Sequence, residues 1–112
     1  MAWKVELLDR RVERELDALA QDIRQRFLRI GDLIEQHGLA ALREPHVKHL
    51  EGKLWEIKMN LPGSGGYRIF YCMVQKETML LPHAYAKKSQ KAPKKELETA
   101  WHRLFDAQKR GV

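Results

Sequence analysis

Arg68 stands near the start of the apolar run YRIFYCMV, Tyr67 to Val74, and a second apolar run, Leu80 to Ala86, leads straight into Lys87, Lys88 and Lys91. A guanidinium is costly to bury unpaired and cannot shed its charge by losing a proton, so Arg68 must be paired or must line a cleft. Strand alternation sorts its neighbours: Lys58 shares a face with Glu56, Arg68 with Phe70 and Cys72, and His83 with Tyr85 and Lys87. If these runs pair in sequence order, Lys58, Arg68, Lys87 and Lys88 converge. Cations gathered without matching acids repel one another, and a phosphate placed between them relieves that repulsion. The plainer alternative is a Glu56–Arg68 cross-strand ion pair on a solvated sheet face.

The elements that must position these residues are readable from periodicity. WKVELL, Trp3 to Leu8, alternates as a first strand, and Asp9 offers a helix N-cap. Val12, Leu16, Leu19, Ile23, Phe27, Ile30 and Ile34 then recur every three or four residues up to Gly38. One helix of about 26 residues would run ~39 Å, too long for a compact domain of this size, so a break is expected near Ala18 to Asp22. Residues 39–53 read as polar and irregular, punctuated by Pro45 and Gly52. Leu54 to Met59, Tyr67 to Val74 and Thr78 to Ala86 form a three-strand antiparallel meander turned by LPGSGG and QKET. Pro93 suits the first turn of a last helix whose Leu97, Ala100, Trp101 and Leu104 share one face.

The expected order is therefore β-α-α-β-β-β-α, an α+β fold in a single domain over residues 1–112. A lone cysteine, Cys72, permits no intrachain disulfide and fits a reducing compartment. The N-terminus lacks the apolar stretch of a signal peptide, and no apolar run has membrane-spanning length, so a soluble cytoplasmic protein without membrane contact is expected. The net charge of +6 is uneven: residues 1–52 hold 9 Lys and Arg against 10 Asp and Glu, and residues 53–112 hold 12 against 5. That C-terminal excess attracts polyanions, nucleic acid foremost. His46 and His49 have helical ligand spacing, but Pro45 precedes them and no third ligand is evident, so no metal is expected.

LEGKLWEIKM, YRIFY and LLPHAYAKKSQKAPKKELETA resemble the phage-derived branch of the RelE/HigB family, the toxin halves of bacterial type II toxin–antitoxin pairs. The most specific parts are Trp55-Glu56, Tyr67 to Tyr71, and Lys87-Lys88-x-Gln90-Lys91-x-Pro93. The resemblance implies a RelE-like curved antiparallel sheet with helices packed on one face and an active cleft on the other. It also implies an mRNA interferase, a ribosome-dependent endoribonuclease that needs no cofactor and inhibits translation by cutting the message through its own 2′-OH. Its partners would be the ribosome, mRNA and a cognate HigA-like helix-turn-helix antitoxin.

Carried over by position, Arg68 matches a phosphate-gripping arginine, Lys58 a strand lysine near the scissile phosphate, and Lys87 and Lys88 a basic pair. Lys53, Lys91, Lys94 and Lys95 are candidates for RNA backbone contact. The general acid and base stay open among Tyr85, His83 and Glu56, because no tyrosine follows Ala86 and the one later histidine, His102, lies deep in the last helix. Lys58 or Lys87 could serve instead if crowding lowers its pKa. Competing readings are a ParE-like gyrase poison and a non-catalytic nucleic-acid-binding module.

Overall fold

The computed structural model describes residues 3–38, 47–61, 65–74, 77–87 and 94–109. Its elements are β1 Lys4–Leu7, α1 Arg10–Asp17, α2 Gln21–His37, β2 Val47–Glu51, β3 Leu54–Leu61, β4 Gly65–Val74, β5 Thr78–Lys87 and α3 Lys94–Lys109. Asp9 caps α1, its carboxylate accepting the Arg11 backbone N–H at 2.9 Å, and a further hydrogen bond from the Arg11 guanidinium lowers the Asp9 pKa. The expected break in the apolar stripe falls at Ala18 to Ala20, so Leu16 and Ile23 reach the same core from two separate helices. Gly38 ends α2 at φ 76°, where a Cβ would stand 2.5 Å from the Trp3 indole nitrogen.

The five strands form one sheet in the order β1-β5-β4-β3-β2. The meander β3-β4-β5 is as expected, while two features of the sheet differ from the sequence reading. Strand β2 lies within the stretch read as irregular and forms a hairpin with β3 around Gly52, at φ 53°. Its register slips between His49 and Glu51, which blurs the two-residue alternation that would have marked it. Strand β1 pairs parallel to β5, so the sheet is mixed rather than antiparallel. The long connection from β1 to β5 through two helices and three strands makes parallel pairing possible.

Alternation along the strands builds two separate cores. Ile57, Met59, Ile69, Tyr71, Met79 and Leu81 face α1 and α2, where they meet Val12, Leu16, Ile23, Phe27 and Ile34. Leu54, Phe70, Cys72 and Leu80 face the other way and are covered by Ala100 and Leu104 of α3. Helices thus lie on both faces, not one, because that second row is too apolar to face water. Burial raises the pKa of the Cys72 thiol, as expected of a structural cysteine. The Trp101 indole N–H donates to the Glu51 carboxylate and ties α3 to the β2–β3 turn.

β1 pairs with β5 only as far as Leu81, and past that point α1 takes its place. Glu15 of α1 accepts the Ala84 backbone N–H at 3.2 Å, while Arg103 of α3 donates to the Pro82 carbonyl at 3.1 Å. Arg103 also grips Glu15 through two parallel bonds of 2.9 and 2.8 Å. The His83 ring sits between two carboxylates, Nδ1 at 3.0 Å from Glu15 and Nε2 at 2.6 Å from Glu96. Burial by itself would raise the Glu15 pKa, but hydrogen bonds and charge from His83 and Arg103 outweigh it and lower it from 4.5 to about 2.

A carboxyl depressed in the folded state stabilises fully above its ordinary pKa, and that contribution is lost as pH falls through about 2. Arg103→Met is expected to lower the melting temperature at neutral pH, and its deficit against wild type should shrink as the pH is taken down toward about 2. Circular dichroism melts across that range measure both effects. Gly38→Ala should cost about 1 kcal/mol or more in urea unfolding, from the positive φ together with the clash against Trp3.

Candidate active site on the second face of the sheet

Beyond the apolar row under α3, the same face turns polar. Register places Lys58 of β3 opposite Arg68 of β4, and Arg68 opposite Tyr85 of β5, so two cations and a phenol stand abreast. The adjacent row is Glu56, Phe70 and His83. On the other side, Lys87 pairs with Gly66. Directly opposed like charges destabilise a sheet, so the Lys58–Arg68 pair is a local cost that the fold retains.

Arg68 is held from two directions. Its Nε lies 3.7 Å from Glu56 Oε1, and its Nη1 donates to the Tyr67 carbonyl at 3.0 Å. The ion pair considered in the sequence therefore exists, but it is diagonal rather than directly cross-strand. It is also buried, with Glu56 6% and Arg68 8% exposed, not spread on a solvated face. Lys58 and Lys87 are half-buried beside it.

Tyr85 packs edge-on against Phe70 and is stacked on His83, with ring centroids 5.4 Å apart in each case. Its hydroxyl is buried and has no hydrogen-bond partner among the described residues. Burial, followed by the nearby Glu56 and Glu96 carboxylates, raises the Tyr85 pKa strongly, so the phenol keeps its proton at neutral pH. Both His83 ring nitrogens are engaged by carboxylates, Nδ1 by Glu15 and Nε2 by Glu96, and the ring lies beneath Tyr85.

The remaining candidates are more scattered. Lys53 lies in the β2–β3 turn, five residues from Lys58 and ~16 Å along the strand, outside this row. Lys94 and Lys95 are exposed on the first turn of α3, next to Glu96. Lys88 and Lys91 lie outside the described residues. His49 Nε2 donates to the Gly52 carbonyl, 2.7 Å away, and the ring packs beside Trp55. Among the described residues no cluster of His, Cys, Asp or Glu could hold a metal ion, and no helix is long and apolar enough to cross a membrane.

Glu15, Glu96 and Arg103 escaped the sequence reading. Glu15 is 68 residues from His83 and 88 from Arg103, and each reads locally as an ordinary helix surface charge. Pairing them requires knowing that α1 and α3 meet at the edge of β5.

The family model for phage-derived protein Gp49-like (DUF891) matches residues 14–104. A free-state double mutant of the E. coli toxin RelE shares the fold with a TM-score of 0.64 at 20% identity, covering 93% of this chain and 99% of that one. A chain of the archaeal RelE-RelB complex from Pyrococcus horikoshii OT3 gives a TM-score of 0.56 at 23% identity, covering 77% and 96%. No curated protein matches the sequence. With its sheet, its helix placement and a family match spanning most of its length, this chain belongs to the phage-derived Gp49-like family and has the fold of the RelE toxins.

Proposed function

We propose that this chain is the toxin of a toxin–antitoxin pair and that it acts as a ribosome-dependent mRNA endoribonuclease, with the row Lys58, Arg68 and Tyr85 at its centre. The observation that carries the reading is the register itself, which sets two cations and a protonated phenol side by side on one face of a RelE-type sheet. The neighbouring structures' descriptions as a toxin and as a RelE-RelB complex support the toxin role and an antitoxin partner. A HigA-like helix-turn-helix protein is the expected form of that antitoxin, and the cytoplasm its site of action.

The chemistry follows from the side chains. Attack of a 2′-oxygen on the adjacent phosphorus forms a P–O2′ bond and breaks the P–O5′ bond, giving a 2′,3′-cyclic phosphate and a 5′-hydroxyl. Arg68 and Lys58 stabilise the dianionic phosphorane between these states, the kind of preorganised charge that contributes most to phosphoryl chemistry. Tyr85, with its raised pKa, is suited to give its proton to the departing O5′. Glu56, the carboxylate of the neighbouring row, accepts the proton of the 2′-OH. Lys87 and Lys88 extend the cationic surface along the message, and Lys53, Lys91, Lys94 and Lys95 contact RNA backbone.

The cleanest substitution is Tyr85→Phe. It deletes a buried hydroxyl without breaking any hydrogen bond among the described residues, so thermal stability should hold or rise slightly. Activity should fall ~10²-fold or more. The test is tightly controlled expression in a bacterium, with growth followed for wild type and variant. Growth arrest by wild type only, with equal melting temperatures, is the expected result; equal arrest by both removes Tyr85 from the chemistry. Arg68→Ala is expected to abolish toxicity too, but it strands the buried Glu56 carboxylate, so its melting temperature should drop. Pairing it with Glu56→Gln should recover the melt and leave the chain non-toxic.

A further inference from the structure

A groove of about 550 Å³ runs between β1, α1 and α2, on the face of the sheet opposite the cationic row. Its apolar lining includes Val5, Leu7 and Leu28, and Leu28 is 63% exposed, the most exposed large apolar residue among those described. Its charged lining is Glu13, Asp17, Asp32 and Glu35 against the single guanidinium of Arg24, which itself leans to within 3.9 Å of Asp17. An acidic groove on a chain of net charge +6 repels the polyanion that the other face attracts. Its occupant is therefore different in kind.

The backbone indicates the occupant's shape. β1 is an edge strand, and the N–H groups of its Lys4 and of Leu8, just past its end, donate inward to the Glu77 and Leu81 carbonyls at 3.0 Å. By strand alternation the backbone groups of Val5 and Leu7 belong to the side away from β5, and both residues line the groove. The Val5 N–H donates to the Glu35 carboxylate at 3.3 Å, so a side chain stands where a neighbouring strand's carbonyl would be. An added strand that takes over Val5 frees Glu35 to meet a cation arriving on the same segment.

We infer that this groove binds an extended segment of a partner polypeptide in which apolar residues alternate with Lys or Arg, the segment joining the sheet as a strand beside β1. Apolar side chains would cover Leu7 and Leu28, basic ones would meet Asp32 and Glu35, and main-chain hydrogen bonds would supply register. The inference does not depend on the chemistry proposed for the Arg68 row.

The test uses the whole chain and a capped octapeptide alternating valine and lysine, with a valine–glutamate octapeptide as control, followed by amide chemical shifts. The valine–lysine peptide is expected to shift Val5, Leu7 and Leu28, leave Arg68 unmoved, and bind several-fold more weakly to Asp32→Lys. Leu28→Ser, at an exposed position, should weaken it as well and guards against a folding defect in the charge variant. Equal binding of the acidic peptide, undiminished binding to both variants, or shifts centred on Arg68 would overturn the inference. Groove shifts that appear on concentration without peptide would assign the surface to a second copy and overturn it likewise.

Discussion

Where β1 stops short, β5 is left with half an open edge, and the Glu15 carboxylate closes it. That one side chain accepts the Ala84 N–H, takes two hydrogen bonds from Arg103 and faces Nδ1 of His83, so it joins α1, β5 and α3 at a single point. The arrangement answers a strict requirement: backbone groups withdrawn from water must find partners, and here side chains supply what a fifth neighbouring strand residue would have supplied. It also fixes the two helical layers against each other across the sheet. Because His83 lies under Tyr85, the same network that completes the edge sets the position of the phenol in the cationic row.

The second face divides into an apolar end and a charged end. α3 covers Leu54, Phe70, Cys72 and Leu80, and the strands continue past it into Lys58, Arg68, Tyr85 and Lys87. Placing Lys58 opposite Arg68 opposes folding, and Glu56 offsets only part of that repulsion. A fold under selection for stability alone has simpler residues available at these positions. Charge held in place before an anion arrives is what phosphoryl chemistry requires, since no reorganisation is then needed as the transition state forms.

Periodicity made much of this architecture legible in the sequence. The helical stripe with its break, the Asp9 cap, the Gly38 stop and the three-strand meander all rest on local physics, where spacing and turn residues carry the information. Strand parity also placed Arg68 with Phe70 and Cys72, and His83 with Tyr85 and Lys87, on what the structure shows to be one face. β2 was hidden because a register slip spoils its alternation. The placement of α3 was hidden because parity separates the faces of a strand without saying which helix covers each. The burial of the Glu56–Arg68 pair and the Glu15–His83–Arg103 contacts depend on how distant elements dock, and no local pattern encodes that.

In the proposed function the row at Arg68 cuts RNA on the ribosome. The most direct measurement maps the ends of a defined message in a reconstituted translation system containing the purified chain, with and without ribosomes. New 5′-hydroxyl ends within the translated region, matched by 2′,3′-cyclic phosphate upstream, are expected when ribosomes are present and not when they are omitted. An intact message alongside halted translation, or cleavage indifferent to ribosomes, would contradict that function.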